Sequence, residues 1–149
     1  MNKCLTIGLV SMCSKPGAVD ENLSQLERFA KKARANGCDV LLTPELSISG
    51  YGGYDEVLAT AETAGEGRIY GELKRIAFEN RLVLLAGFVE KQDKKRFLSC
   101  YIVYPDGTFY VQRKHRVTPL EFPLEPSVEL YDDESEDIGQ IYPGQEQFT

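Results

Sequence analysis

The first forty residues constrain the fold most. Leu5 to Val10 is a near-continuous apolar run, the pattern of a buried strand. Ser14 to Ala18 contains Pro16 and Gly17 and must be a loop. Asp20 is suited to cap the helix that follows. Val19, Leu23, Leu26, Ala30 and Ala33 then recur at spacings of three and four, which puts one apolar stripe on a helix. Lys31, Lys32 and Arg34 fall near its carboxyl end, where cations complement the helix dipole. Asn36-Gly37 stops the helix, and Val40 to Leu42 reads as a second short buried strand. Strand, helix and strand make a right-handed crossover unit, so the chain is expected to build an α/β fold.

The rest of the chain extends that sheet. Ala59 to Gly67 is polar and without period. A second helix is expected over Arg68 to Glu79, with Ile69, Leu73, Ile76 and Ala77 inward and Asn80 as its stop. Leu82 to Val89 is a strongly apolar strand, followed by a polar turn over Glu90 to Arg96. Phe97 to Tyr104 and Phe109 to Gln112 read as a hairpin about the tight turn Pro105-Asp106-Gly107. A mixed sheet flanked by helices is therefore expected. Beyond Arg116 no Lys or Arg appears, and eight acidic residues fall between Glu121 and Asp137. With Pro119, Pro123 and Pro126 this segment reads as an extended, solvated acidic loop.

Composition narrows the function classes. A chain of 149 residues is one domain at most, large enough to bury roughly 68–70% of its unfolded surface. A net charge of -6 argues against general nucleic-acid binding, which needs a basic face. Cys4, Cys13, Cys38 and Cys100 are scattered without a Cys-x-x-Cys pair, and a single His does not complete a zinc site with them. Reduced thiols in a cytoplasmic protein are the expectation. Lys3 ahead of the apolar run mimics a short signal peptide, but Thr6, Gly8 and Ser11 dilute the run and Met12 spoils a cleavage site. No stretch approaches the roughly 18 apolar residues of a membrane span.

The stretch from Val40 to Tyr54 carries the candidate chemistry. The second strand breaks at Pro44 and leaves Glu45 at its carboxyl end, ahead of Gly50, Gly52 and Gly53. Open α/β sheets keep their sites at that edge. Burial of Glu45 there would raise its pKa and suit it to proton transfer. The competing reading is a surface glutamate in a turn. A second cluster, Gln112-Arg113-Lys114-His115, precedes Thr118-Pro119-Leu120-Glu121. Read alone, Lys114 is one more member of a solvated basic cluster.

Taken together, these two segments resemble a known family. Pro44-Glu45-Leu46 with Gly50-Tyr51 is similar to the first catalytic motif of the nitrilase, or carbon–nitrogen hydrolase, superfamily. Gln112 to His115 and the following Glu121 resemble its lysine motif and second glutamate. The order and separation of the motifs fit, and the chain corresponds to the amino-terminal part, residues 1–149, of a single such domain. The resemblance implies a partial α-β-β-α sandwich. It also implies hydrolysis of non-peptide carbon–nitrogen bonds by a Glu-Lys-Cys set without cofactor or metal. Glu45 would take the proton of a cysteine thiol, Lys114 would stabilise the tetrahedral intermediate, and Glu121 would orient the lysine and hold the substrate nitrogen. Glu121 stands one residue nearer the lysine than in amidase-like members. Tyr51 and Tyr54 are the expected substrate-binding side chains.

The family nucleophile follows a Tyr-Pro-Gly segment like Tyr142-Pro143-Gly144, and none of the four cysteines holds that position. Alone, the chain is therefore expected to be inactive, with an apolar sheet face left facing water. A homo-oligomer or a complementing carboxyl-terminal fragment is the expected partner. A small amide, carbamoyl compound or nitrile is the expected substrate, with neither nucleic acid nor membrane as partner. The alternatives are a nucleophile-free binding module and an unrelated α/β domain that matches by chance.

Overall fold

The computed structural model describes residues 4–52 and 54–116. Its elements in order are β1 (Ile7–Leu9), α1 (Val19–Ala35), β2 (Val40–Leu42), α2 (Tyr54–Leu58), α3 (Gly67–Asn80), β3 (Val83–Gln92), β4 (Lys95–Val103) and β5 (Phe109–Arg113). The strands form one mixed sheet in the order β1-β2-β3-β4-β5. The β1–β2 and β2–β3 pairs are parallel, and each is joined through helix; the β3–β4 and β4–β5 pairs are antiparallel. The α/β class and mixed sheet expected from the sequence are the observed architecture.

Packing separates the two faces. One row across the sheet, Gly8, Leu41, Leu84, Val103 and Phe109, lies under the helices. Leu23, Leu26, Ala30 and Ala33 of α1 and Ile69, Leu73, Ile76 and Ala77 of α3 complete this core, as their spacing predicts. At its centre the rings of Phe88 and Tyr101 stack 4.1 Å apart. The Tyr101 hydroxyl accepts the Gly65 N–H at 2.9 Å, which satisfies a polar group the core would otherwise strand. Packing is close at Gly8, where a Cβ would meet Leu41 Cδ1 at 3.1 Å and Cys38 Sγ at 3.2 Å.

The next row on the opposite face is Leu9, Leu42, Leu85, Ile102 and Tyr110. The described residues leave much of it open, with Leu9 77% exposed. The first strand is therefore not buried as its apolar run predicts. Only one of its faces meets the helices, while Leu5, Ile7 and Leu9 face outward. Farther along the same face, Leu46, Val57 and Leu58 cover Val89 and Leu98 in a second, smaller core.

Local signals misplace several boundaries. Asp20 sits inside the first turn of α1 and does not cap it; the capping residue is Ala18, without a side-chain bond. Asp20 pairs instead with Arg68. Asn80 is the last residue of α3, its amide donating to the Ile76 carbonyl at 2.8 Å, and the chain turns at Arg81 with φ 52°. The expected polar turn over Glu90 to Arg96 is mostly ladder. Pairing runs on to Gln92↔Lys95, and only Asp93 and Lys94 turn. Glu90 is buried rather than at a solvated turn. Helix α2 has no counterpart in the sequence reading. The acidic segment over Glu121 to Asp137 and the Tyr142 to Phe148 stretch lie outside the described residues.

Candidate active site

The site begins where β2 ends. Thr43 donates from its backbone and its hydroxyl to the Leu85 carbonyl, at 3.1 and 2.9 Å, so the chain leaves β2 still tied to β3. Pro44 then prevents further pairing, and Leu46 adopts φ 51°, a left-handed conformation unusual for a leucine. Two serines hold this turn on the sheet. The Gly87 N–H donates to Ser47 Oγ at 3.1 Å, and the Val89 N–H donates to Ser49 Oγ at 3.0 Å. Their hydroxyls stand in for the ladder carbonyls that β2, which ends at Leu42, no longer supplies to β3. Buried Asn22 adds a further tie by donating to the Ile48 carbonyl at 2.9 Å.

Gly87 is what lets the turn lie so close. A Cβ there would collide with the Leu46 amide nitrogen and lie 3.0 Å from the Glu45 carbonyl carbon. Glu45 is thereby held over β3 at the rim of a hollow of about 220 Å³. The floor is the row Gly87, Cys100 and Gln112; Thr43, Pro44, Leu98 and Lys114 stand around it.

Lys114 arrives from the other side. The Lys114 N–H donates to the Leu98 carbonyl at 2.7 Å, extending the ladder one step past β5. Its ammonium donates to Glu45 Oε1 at 2.9 Å. Two side chains 69 positions apart thus meet at one small hollow. The pair is neither dry nor fully wet: Lys114 is 25% exposed and Glu45 48%. Glu45 is thus exposed in the turn after β2, as the competing reading has it, and not a buried carboxylate; its lysine partner is what distinguishes it from an ordinary surface glutamate. Lys114 is not a member of a solvated cluster, since its charge is engaged by Glu45.

Of the remaining candidates, Tyr51 is exposed and does not line the hollow. Tyr54 opens α2, and nothing further is described of its side chain. Glu121 lies outside the described residues. Cys100 lines the hollow, a position the sequence does not signal, because a strand residue's face depends on register. Burial pushes its thiol up to about 11, so at neutral pH it is almost wholly protonated. Cys4 and Cys13 are exposed and Cys38 is buried in the helix-side core. No cluster of metal-ligating side chains occurs among the described residues, nor any helix long and apolar enough to cross a membrane. A larger hollow of about 490 Å³ lies over α1, but its charges answer one another, Lys15 with Glu21 and Lys31 with Glu27, as on an ordinary solvated helix face.

The model of the carbon–nitrogen hydrolase family matches residues 6–135. The chain belongs to this family. Within it, a probable nitrilase of Schizosaccharomyces pombe is 26% identical over 133 residues, covering 79% of this chain and 49% of that protein. A nitrilase of Pyrococcus abyssi is 30% identical over 110 residues, covering 72% of this chain and 42% of that protein. Among solved structures, an amidase from Nesterenkonia sp. superposes with a TM-score of 0.73 at 19% identity, over 95% of this chain and 49% of that one. That likeness establishes the nitrilase-superfamily fold. The carbon–nitrogen hydrolase chain described here spans about half the length of these relatives.

Proposed function

We propose that the chain carries the acid–base and charge-stabilising half of a carbon–nitrogen hydrolase site for small amides, carbamoyl compounds or nitriles. The single observation that supports this most is the 2.9 Å contact between Glu45 and Lys114, each from a separate family-like motif. In this reading Glu45 accepts a proton from a cysteine thiol, and the thiolate attacks the substrate carbon. The Lys114 ammonium stabilises the oxyanion of the tetrahedral intermediate. With an amide or carbamoyl compound, Glu45 returns the proton to the leaving nitrogen, the carbon–nitrogen bond breaks, and an acyl thioester remains for water to hydrolyse; with a nitrile the first adduct is a thioimidate, to which a water adds before the nitrogen leaves as ammonia. Glu121 orients Lys114 and holds the substrate nitrogen, and Tyr51 and Tyr54 contact substrate once the pocket is complete. No metal or organic cofactor enters these steps.

The four cysteines of the chain do not supply the nucleophile in this reading. Cys100 is near enough to line the hollow, but it lies within β4 and not after the Tyr-Pro-Gly segment that the family nucleophile follows. The nucleophile comes from a complementing carboxyl-terminal segment of the same kind of domain. That segment also covers the open sheet face, as the second sheet of an α-β-β-α sandwich. Alone the chain is inactive; complete, it works in the cytoplasm and assembles with copies of itself. The test is hydrolysis of a panel of small amides and nitriles by the chain alone and by the chain co-expressed with the cysteine-bearing half of a family member. Turnover only in the second case is expected.

One observation favours a second reading. A hollow lined, among the described residues, by no thiol but the strand residue Cys100 is also what a nucleophile-free binding module would carry. Saturable binding of a small amide by the chain alone, with no turnover after complementation, would select it.

A further inference from the structure

Arg113 and Lys114 are adjacent cations at the end of a short strand, yet they serve opposite faces of the sheet. In the register Glu90↔Phe97 and Ser99↔Arg113, all four side chains fall on the helix-side face. There Arg113 donates to both oxygens of Glu90, Nε to Oε2 at 2.9 Å and an NH2 group to Oε1 at 2.5 Å. Ser99 Oγ donates to the same carboxylate at 2.7 Å, and the guanidinium lies 3.9 Å over the Phe97 ring. Glu90 is 5% exposed and Arg113 23%, so this is a largely buried, forked and stacked arrangement. Side chains alternate along a strand, so Arg113 fixed on one face turns Lys114 to the other, toward Glu45.

We propose that Glu90 and Arg113 are positioning residues that lock the register of β5 and so present Lys114 to Glu45. The inference deepens the hydrolase reading and rests on it for the meaning of Lys114. The end of a five-residue strand is weakly specified by apolar pattern alone, and a slip of one residue would exchange the two cations. Glu90 selects between them by chemistry. A guanidinium fills its site with a bidentate fork and a stacked face, whereas an ammonium brings one point contact and no stack. The order Arg-Lys is thus specified by a carboxylate that does not line the hollow, although Ser99 and Arg113, which bind it, border the hollow.

Zero-length carbodiimide cross-linking of the 149-residue chain, read by peptide mass spectrometry, tests the proposal. The Glu45–Lys114 amide should form readily, with Glu27–Lys31, 2.7 Å apart on α1, as internal reference. Glu90→Gln should lower the ratio of the two cross-links at least about fivefold, because the register is no longer held. Ser99→Ala should leave the ratio unchanged. If Glu90→Gln does not fold, the double variant Glu90→Gln/Arg113→Met removes both charges and leaves no buried ion unpaired; it should show the same loss. A merely structural role lowers the urea midpoint and leaves the ratio alone, so an unchanged ratio in either folded variant overturns the proposal. Lack of turnover after complementation would refute the hydrolase reading without moving this ratio.

Discussion

On the helix side of the sheet, the row Gly8, Leu41, Leu84, Val103 and Phe109 lies under α1 and α3; one step along on the other side, Leu9, Leu42, Leu85, Ile102 and Tyr110 form an equally apolar row with little cover. Both rows are written for burial. Exposed apolar surface costs roughly 25 cal/mol per Å² relative to burial, and continuous patches of it mark interaction surfaces. The candidate site lies on the open side, between that row and the small core under α2. One face therefore holds the fold together, and the other carries the candidate site and an apolar row that the described residues leave open.

That contrast predicts unequal responses to substitution. The largest is expected at the centre of the covered face. Phe88→Ala removes the ring stacked on Tyr101 and should cost about 3–5 kcal/mol, seen as a lower urea midpoint. Next comes the junction of the two regions. Gly87→Ala would push its Cβ into the backbone of Glu45 and Leu46, costing about 1–3 kcal/mol and displacing Glu45. The Glu45–Lys114 carbodiimide cross-link should then disappear from the folded protein.

A smaller effect belongs to the outer surface of the helical layer. Hydrogen bonds from Arg75, and then from Lys31, hold the Glu27 carboxyl down to about 2. Because its folded-state pKa is lowered, the stabilisation is complete above the ordinary carboxylate range. It fades as pH falls from about 4.5 toward 2. Solvent reaches Arg75, so the contribution is about 1 kcal/mol or less, and 1 M salt should reduce it. Urea melts of Glu27→Gln between pH 3 and 7 would check this: the variant should lose the acid-side slope. Smallest of all, Leu9→Ala should cost under about 0.5 kcal/mol, since that side chain gains little burial among the described residues. It should nevertheless reduce binding of an apolar fluorescent dye. An equal penalty at Leu9 and Phe88 would break the contrast between the faces.

The sequence was legible where periodicity is strong and local. The stripes of α1 and α3 and the presence of all five strands follow from apolar spacing. It misled where a residue's role depends on a distant partner. Glu90 looks like a turn residue because its neighbours are polar, and only pairing with β4 and β5 reveals its burial. The run at Leu5 to Val10 looks buried because composition alone does not distinguish two covered faces from one. Glu45 and Lys114 were singled out through motif resemblance, and their proximity is a tertiary fact. Ser47 and Ser49, which hold the turn, gave only a Ser-x-Ser alternation that many loops share. Cys100 gave no signal, since its access to the hollow depends on a register that no local rule fixes.

The most direct measurement is mass-spectrometric trapping of an acyl intermediate on the complemented chain after rapid quenching with a small amide. A thioester on the supplied cysteine should accumulate with Glu45 and Lys114 intact. Loss of one oxyanion donor typically costs about 10²–10³ in rate, so Lys114→Ala should slow acylation by at least that factor. Glu45→Gln, which removes the base, should do likewise. Unchanged acylation in both variants would contradict the account.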